Sequence, residues 1–287
     1  MMFSLIVPTR GRTEELVRLF QSLQAQTLQD FELILSDQNE DDRLVPVVRD
    51  SGLGGRLVHV RSNWGVSRAR NAGLDRASGE IVGFPDDDCV FPPNLLKGVA
   101  DFFATHPEYG LLTGSSYADG GGAVSNFART ASDIQKLRIH TQCIEFTTFI
   151  RRAELGERRY DEHMGVGSRS PWHSDEGPDL ILRLQRAGVR GYYNPDVAVW
   201  HPKPIISYGA KEIDRSYRYA LGTGYFYRKH DYPFWYFAYY MMRALGGALL
   251  ALVTLKPVKA RFYFARLLGL WRGWRSTPVW DGSPAMS

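Results

Sequence analysis

Short apolar runs alternate with amphipathic segments over the first part of the chain. Four runs have the length and composition of buried strands: FSLIV (3–7), FELILS (31–36), RLVHV (56–60) and EIVGF (80–84). The segments TEELVRLFQSLQAQ (13–26) and GVSRARNAGLDRA (65–77) lie between strands and are predicted to be helical. Strands that alternate with helices predict βαβ units and a mostly parallel sheet with helices on both faces.

Polar residues follow each predicted strand. The first strand is followed by Pro8, Thr9 and Arg10, the second by Asp37, the third by Asn63 and Gly65, and the fourth by Asp86, Asp87 and Asp88. In an open α/β sheet, ligands bind beyond the carboxyl ends of the strands. An Asp-rich segment next to prolines is also typical of a solvated turn. The polar residues at four successive strand ends instead favour a ligand site, where a divalent cation would relieve the repulsion between the carboxylates.

Composition narrows the classes of protein that remain. A chain of 287 residues fits one large domain, or one domain with an appendage. The net charge of +4 is too small to suggest a nucleic-acid partner, and Cys89 and Cys143 form no disulfide framework. The apolar run near the start is shorter than the ~7–15 residues of a signal peptide. We therefore expect the first two hundred residues to lie in the cytosol.

Four segments, in this order, resemble family 2 of the nucleotide-sugar glycosyltransferases, which has the GT-A fold. They are LIVPTRGRTEELVRLFQSLQAQT, FELILSDQNEDD, SNWGVSRARNAGL and GFPDDDCVFPPNLL. The resemblance extends from about residue 3 to residue 202. It implies a Rossmann-like GT-A catalytic domain over residues 1–206, with donor binding in 1–115 and the acceptor and base region in 116–206.

The resemblance also implies a role for individual residues. Thr9, Arg10 and Asp37 would contact the nucleotide base, and Asp86 would lie on the ribose side. Asp88 would ligate Mg²⁺ or Mn²⁺, and His201 in DVAVWHPKP (196–204) matches a histidine near the metal and the diphosphate. The nucleotide-binding set as a whole is Pro8, Thr9, Arg10, Asp37, Asn63, Arg70, Asp86 and Asp87. For Arg70 a helix-surface arginine is the alternative, and Asp87 is a supporting or solvated neighbour.

The segment SDEG, ahead of a helix predicted at 179–188, is the candidate for the catalytic base. Similar enzymes carry an ED-x-D-L-x-L-R pattern whose second acid is the base, but counting back from Asp179 places that acid on Gly177. We therefore favour Glu176, with Asp175 as the second choice. The alternative is that both acids only cap the helix. Asp179 and Trp172 are assigned to the acceptor or sugar, with interior packing as an equal alternative for Trp172.

The C-terminal part differs in composition from the rest. PFWYFAYYMMRALGGALLALVTL (233–255) reaches the ~17–25 residues that a membrane span needs. KPVKARFYFARLLGLWRGWR (256–275) carries six cationic residues and no acidic one. We predict that residues 207–287 are a helical membrane-associating region, with contact through 233–275, and that the catalytic domain folds without it. A helical hairpin buried against that domain and an oligomer contact are the alternatives.

Together with these patterns, the resemblance implies an inverting, Mg²⁺- or Mn²⁺-dependent glycosyltransferase, specifically a hexosyltransferase. Its donor would be a nucleotide sugar, with a UDP-sugar favoured. Its acceptor would be a saccharide, expected to be lipid-linked, at the cytoplasmic face of the cell membrane in cell-surface glycan synthesis. An aspartyl-nucleophile phosphatase or phosphotransferase using Asp86 and Asp88 is an alternative, but it expects its nucleophile near the first strand. A nucleotidyltransferase and a non-catalytic saccharide-binding module are two further classes that the sequence leaves open.

Overall fold

A computed structural model of the chain describes residues 1–203 and 207–279. The chain divides into two compact units. One consists of Met1–Tyr160 with Leu180–Pro204, and the other of Asp161–Asp179 with Ile205–Ser287. The domain boundary predicted at residue 206 lies outside the described residues. Residues 161–179, which the sequence placed in the catalytic domain, belong to the same unit as the C-terminal helices.

The described residues form eight strands and ten α-helices. The strands are β1 (Phe3–Thr9), β2 (Phe31–Asp37), β3 (Leu57–Arg61), β4 (Ile81–Gly83), β5 (Leu111–Tyr117), β6 (Ser132–Asp133), β7 (Phe149–Arg151) and β8 (Gly191–Trp200). The α-helices are α1 (Glu14–Gln24), α2 (Leu44–Arg49), α3 (Val66–Leu74), α4 (Leu95–Thr105), α5 (Ile139–Gln142), α6 (Arg152–Leu155), α7 (Glu176–Arg186), α8 (Ala210–Lys229), α9 (Phe234–Val253) and α10 (Pro257–Trp274). Short 3₁₀ helices lie at Gly54–Arg56, Asp119–Gly121, Lys136–Arg138 and Glu145–Thr147.

The strands form one mixed sheet in the order β3-β2-β1-β4-β7-β5-β8-β6. Strand β1 pairs in parallel with β2 and β4, β2 pairs in parallel with β3, and β5 pairs in parallel with β8. The short strand β7 is antiparallel to both β4 and β5. This mostly parallel sheet with flanking helices confirms the predicted fold class. The register places Thr9 opposite Asp37, so the carboxyl ends of β1 and β2 meet at one edge.

The strands of the first unit are apolar in sequence because they lie in its hydrophobic core. Strands β1 and β2 are buried along their whole length, as expected for a sheet covered on both faces. Helix α1 turns one apolar face inward, and the side chains buried there are Leu16, Leu19, Phe20 and Leu23. Burying one such side chain contributes roughly 1.5–3 kcal/mol. The core therefore holds β1 and β2 firmly and fixes the loops that follow them.

The second unit contains three long helices. Helix α10 packs on α8 so closely that a Cβ on Gly273 would lie 2.0 Å from the carbonyl oxygen of Leu221, so only glycine fits there. Helix α9 joins α10 through the rings of Phe237 and Trp274, which stack with centroids 4.4 Å apart. Among the described residues, α9 is the one helix long and apolar enough to cross a membrane, with a mean hydropathy of 1.3. The opposite face of α9 is largely exposed.

Candidate active site

Three carboxylates lie in the loop after β4, at the edge of the sheet where β1 and β2 also end. Antiparallel hydrogen bonds between Val90 and Trp200 tie this loop to the end of β8. His201 directly follows β8, so the same pairing brings its imidazole to the loop. The predicted residues Thr9, Asp86, Asp87, Asp88 and His201 are therefore brought together, although they come from three separate parts of the chain.

Asp88 is at the centre of this cluster. Its Oδ2 lies 2.6 Å from Nη1 of Arg12, and its Oδ1 lies 3.2 Å from Nε2 of His201. The ring of Phe146 stacks on His201 at a centroid distance of 4.6 Å and fixes the plane of the imidazole. Burial opposes charge on Asp88, but His201 and Arg12 outweigh it and hold the pKa of this carboxyl below its ordinary value. Burial likewise opposes charge on His201, and Asp88 raises the pKa of that imidazole.

The other two carboxylates have different partners. Asp87 accepts a hydrogen bond from the Thr9 hydroxyl at 2.8 Å and lies 3.3 Å from Nε of Arg12. Burial raises the pKa of Asp87 to about 7, against the lowering effect of Arg12 and Thr9. Asp86 lies 3.2 Å from Nη2 of Arg70, which is only 3% exposed. The alternative of a helix-surface arginine at position 70 is therefore wrong.

Asp37, at the end of β2, is fully buried and well supplied with donors. Its Oδ1 accepts hydrogen bonds from the backbone and side chain of Asn39, each at 2.8 Å. Its Oδ2 lies 2.9 Å from both His59 Nε2 and Arg61 Nη1. These contacts fix the carboxylate at the sheet edge, where its predicted contact with a nucleotide base stays a prediction.

The remaining nucleotide-binding candidates occupy the same edge of the sheet. Pro8 is buried within β1, opposite Ser36 of β2. Arg10 and Asn63 are exposed. The Arg10 guanidinium lies 4.1 Å from the ring centroid of Trp64, a cation–π distance. Trp64, which the sequence analysis did not select, is 57% exposed in the loop between β3 and α3.

The metal prediction can be tested against the donor atoms present. Within residues 1–203 and 207–279, no three side chains of His, Cys, Asp or Glu are grouped as a metal site. Asp88 and His201 nevertheless offer a carboxylate and an imidazole 3.2 Å apart. Mn²⁺ accepts both kinds of ligand, and Mg²⁺ is usually held by only one or two carboxylates together with substrate phosphates and water. The residues present therefore fit a cation that is shared with a diphosphate.

The candidate base residues belong to the second unit. Helix α7 begins at Glu176, three residues before the predicted start, and Asp175 precedes it with a φ of 64°. Oδ2 of Asp175 lies 2.7 Å from the hydroxyls of both Ser174 and Thr223. Glu176 is 9% exposed. The choice between the two acids stays a prediction.

Asp179 and Trp172 face inward in this unit. Asp179 is fully buried, and its Oδ1 lies 2.7 Å from Nζ of Lys229 and 2.8 Å from Nε2 of His230. Trp172 is 9% exposed and stacks on Tyr225 at a centroid distance of 3.7 Å. Both residues therefore make interior contacts in this structure. Their contact with an acceptor stays a prediction, and it would require both side chains to become exposed.

Besides Trp64, the sequence analysis also missed Arg12, Thr223 and Lys229. Arg12 contacts two of the carboxylates, and its signal was its place in the loop PTRGRTEE after β1. Thr223 and Lys229 lie on α8, inside a region interpreted only as membrane-associating. Nothing local marks either residue, because their partners lie 48 to 68 residues away in the chain.

Comparison with known proteins identifies the family. Residues 4–165 match the family model described as glycosyl transferase family 2. This segment is more than half of the chain, which therefore belongs to glycosyl transferase family 2. The chain is 38% identical over 99 residues to the GalNAc(5)-diNAcBac-PP-undecaprenol beta-1,3-glucosyltransferase of Campylobacter jejuni, a match that covers 33% of this chain and 31% of that protein. The chain spans less than half the length of the first curated relatives that it matches. The match covers 37% of one of these proteins and 46% of another.

Solved structures confirm the GT-A type of fold. A complex of S. aureus TarS 1-349 with UDP superposes with a TM-score of 0.60 at 19% identity, covering 98% of this chain and 95% of that one. The mannosyltransferase PcManGT from Pyrobaculum calidifontis, in complex with GDP-Man and Mn²⁺, gives a TM-score of 0.61 at 17% identity, covering 94% and 87%. At these identities the likeness shows the fold alone.

Proposed function

We propose that this protein is a metal-dependent, inverting glycosyltransferase that transfers a hexose from a nucleotide sugar to a lipid-linked saccharide. A UDP-sugar is the donor that we favour. We assign donor binding to residues 1–115 and the acceptor and base to residues 116–206, with residues 207–287 as the membrane-associating region. The observation that carries the proposal is the convergence of Thr9, Arg70 and His201 on the three carboxylates after β4.

The charges of this cluster suit a nucleoside diphosphate. Arg12 and the buried Arg70 supply cationic groups beside the carboxylates, and guanidinium groups bind phosphate oxygens in a bidentate manner. Asp88 and His201 would hold Mg²⁺ or Mn²⁺. When bound, that cation would neutralise the negative charge that grows on the departing diphosphate. Two structures of the same fold hold UDP and GDP-Man with Mn²⁺, so a nucleoside diphosphate and a divalent cation are ligands that this fold can accommodate.

The reaction also requires a group that accepts the proton of the acceptor hydroxyl. As the acceptor oxygen attacks the anomeric carbon, the bond to the diphosphate breaks and the diphosphate leaves with the electron pair. Glu176, or else Asp175, would accept the hydroxyl proton, a contribution of about 10²–10⁴-fold to the rate. A single displacement of this kind inverts the configuration at the anomeric carbon.

The acceptor assignment rests on the surface of α9. Six large side chains, each more than half exposed, lie along one side of this helix at helical spacing: Trp235, Tyr239, Met242, Leu249, Leu250 and Val253. We call them the apolar face of α9.

Arg243 is also exposed near the middle of the helix, and a charge at that depth is costly in hydrocarbon. We therefore favour a helix that lies on the cytoplasmic side of the membrane over one that crosses it, with basic residues of α10 facing anionic headgroups. A relative that is named for an undecaprenol-linked saccharide supports this acceptor class.

A panel of nucleotide sugars tests the proposal directly. We expect a UDP-sugar with Mn²⁺ to raise the thermal midpoint, and release of UDP to increase when a lipid-linked saccharide is added. A simple phosphate ester, tested in parallel, should not be hydrolysed. Hydrolysis of the phosphate ester without any response to nucleotide sugars would overturn the proposal in favour of an aspartyl phosphatase.

A further inference from the structure

Helix α8 makes repeated contacts with the segment that leads into the candidate base. The Thr223 hydroxyl lies 2.7 Å from Oδ2 of Asp175, and the ring of Tyr225 stacks on Trp172. Gly222 approaches the same segment so closely that a Cβ would lie 2.5 Å from Oγ and 2.8 Å from the backbone nitrogen of Ser174. The backbone of α8 is therefore in direct contact with residues 172–175.

A buried ion pair adds a second attachment one turn further along α7. Nζ of Lys229, at the end of α8, lies 2.7 Å from Asp179 and 2.6 Å from Oδ2 of Asp161. All three side chains are 0–1% exposed. Burial opposes the charge on Lys229, but Asp179 and Asp161 outweigh it and raise the pKa of this ammonium. Lys229 therefore remains charged at neutral pH and holds two carboxylates that come from either end of the segment 161–179.

A helix end that is held at two points is restrained more strongly than one that is held at a single point. Asp175 and Asp179 are one helical turn apart, about 6 Å along the axis of α7. Contacts from Thr223 and Lys229 to these two residues fix both the position and the rotation of that turn. Glu176 lies between them, so its direction is fixed by the same contacts. A base has to stay within hydrogen-bond reach of the proton that it accepts.

We propose that Thr223 and Lys229 are positioning residues that hold the first turn of α7, and with it the candidate base, in its working orientation. This inference rests on the proposed function for the role of the acids. It adds a second task to helix α8, which the sequence placed in a region that only associates with a membrane.

The test uses the full chain and three single variants. Thr223→Val keeps the shape of the side chain and removes the hydroxyl, and Lys229→Met removes the ammonium at similar length. Ser216→Ala is the matched control, because among the described residues the buried hydroxyl of Ser216 on α8 has no hydrogen-bond partner. Each variant is compared with the parent by thermal midpoint, UDP affinity, steady-state kcat and hydrogen–deuterium exchange of peptides that cover 172–186.

We expect Thr223→Val to lower kcat about tenfold without changing UDP affinity, since a misplacement of about 1 Å can cost on the order of 10²-fold in rate. Lys229→Met should lower kcat further. Both variants should exchange faster in 172–180 and be unchanged in β1 and β2, whereas Ser216→Ala should match the parent. Unchanged exchange and kcat in Thr223→Val would overturn the inference, and so would a parallel loss of kcat, UDP affinity and protection throughout the chain.

The exchange measurement separates the two proposals. If the parent protein responds to no nucleotide sugar, the proposed function fails. Faster exchange confined to 172–180 would still show that α8 holds this turn. If the parent is an active glycosyltransferase and neither variant alters kcat, the function stands and the positioning role is wrong.

Discussion

Asp88 and His201 lie with Oδ1 and Nε2 only 3.2 Å apart, although one follows β4 and the other follows β8. The pairing of Val90 with Trp200 produces this approach, because it joins the two loops directly beside both residues. A carboxylate and an imidazole held in this way fit the cation site that we propose, which a diphosphate would complete. The first prediction concerns that site.

Asp88→Asn should remove the metal-dependent part of donor binding and leave the fold intact, because the amide keeps the shape of the carboxylate but lacks its charge. For the parent, UDP with Mn²⁺ at a hundred times its dissociation constant should stabilise the fold by about 2.7 kcal/mol. This gain should fall to the value measured with EDTA. Asp101→Asn, in an exposed pair with Lys97, is the control. A full response of Asp88→Asn to Mn²⁺ would contradict the cation site.

Arg12→Met should increase the affinity for Mn²⁺ measured without nucleotide. The Arg12 guanidinium lies 2.6 Å from Asp88 and repels a cation there, but it is 40% exposed and therefore screened. We expect a gain of about fivefold, corresponding to roughly 1 kcal/mol for an ion pair of this exposure. The same variant should bind UDP more weakly, because a cationic partner of the phosphates is lost. Calorimetric titration measures both affinities.

Arg18→Met is the matched control for Arg12, since Arg18 is an exposed arginine on α1. It should leave the affinity for Mn²⁺ and for UDP unchanged. If Arg12→Met weakens both affinities to the same degree, Arg12 supports the loop structure and does not compete with the cation.

The parts of the fold that follow from the sequence are those with a strong periodic signal. The four apolar runs became β1 to β4, and β1 and β2, the longest of them, are buried on both faces. The short strand β7 (Phe149–Arg151) carries no such pattern, since it has only two consecutive apolar residues, Phe149 and Ile150, and arginine follows them directly. The predicted start of α7 is three residues late, because Gly177 and Pro178 resemble a helix breaker. Proline is in fact tolerated in the first turn of a helix, where its missing N–H has no partner to lose.

The candidate site, like the fold, has a part that could be predicted from the sequence and a part that could not. Parallel strands bring their carboxyl ends together, so the residues after β1, β2 and β4 could be selected from the sequence. The buried pairing of Lys229 with Asp161 and Asp179 could not, because the three residues meet only through the packing of α8. Charged side chains in a basic, aromatic segment are usually exposed, and the sequence gives no sign that this lysine is 1% exposed.

Glu176→Gln should keep UDP affinity and lose at least ~10²-fold in kcat, because general-base assistance acts only in the transition state. Asp175→Asn is its companion variant. If the loss occurs in Asp175→Asn and not in Glu176→Gln, the base is Asp175. Equal and small effects in both variants would support the alternative that the two acids only cap α7.

Substitution of the apolar face of α9 should weaken membrane binding without loss of stability. Trp235→Ser together with Leu250→Ser changes two side chains that are 63% and 64% exposed, so the packing of the unit is little affected. The parent should float with vesicles that contain anionic lipid, and salt should loosen this binding, since the attraction is about 1 kcal/mol per basic residue and is screened. The double variant should float less at every salt concentration.

Val45→Ser, on α2, serves as the control for α9, because Val45 is 50% exposed in a different part of the chain. It should float as the parent does. Flotation that is unaffected by the changes in α9 would show that another surface binds lipid, and a parent that ignores vesicles would contradict membrane association altogether.

The last prediction concerns removal of the C-terminal region. The sequence predicts that a chain ending at residue 206 folds and loses only its location. The buried pairing within the second unit argues otherwise, because truncation removes Lys229 and leaves Asp161 and Asp179 without their counter-charge. Removal of one partner of a buried ion pair typically costs about 3–5 kcal/mol. We expect the truncated chain to lose turnover on a water-soluble acceptor as well as on a lipid-linked one.

Lys229→Met in the full chain is the comparison for this truncation, because it removes the ammonium of Lys229 and keeps the rest of the C-terminal region. If the C-terminal helices hold the candidate base, this variant should lose turnover on both acceptors and still float with anionic vesicles, because the apolar face of α9 is unchanged. The truncated chain should lose turnover and flotation together. If the C-terminal region acts only as an anchor, Lys229→Met should behave as the parent does, and the truncated chain should keep full turnover on the water-soluble acceptor. The two accounts therefore differ in a single assay that needs no membrane.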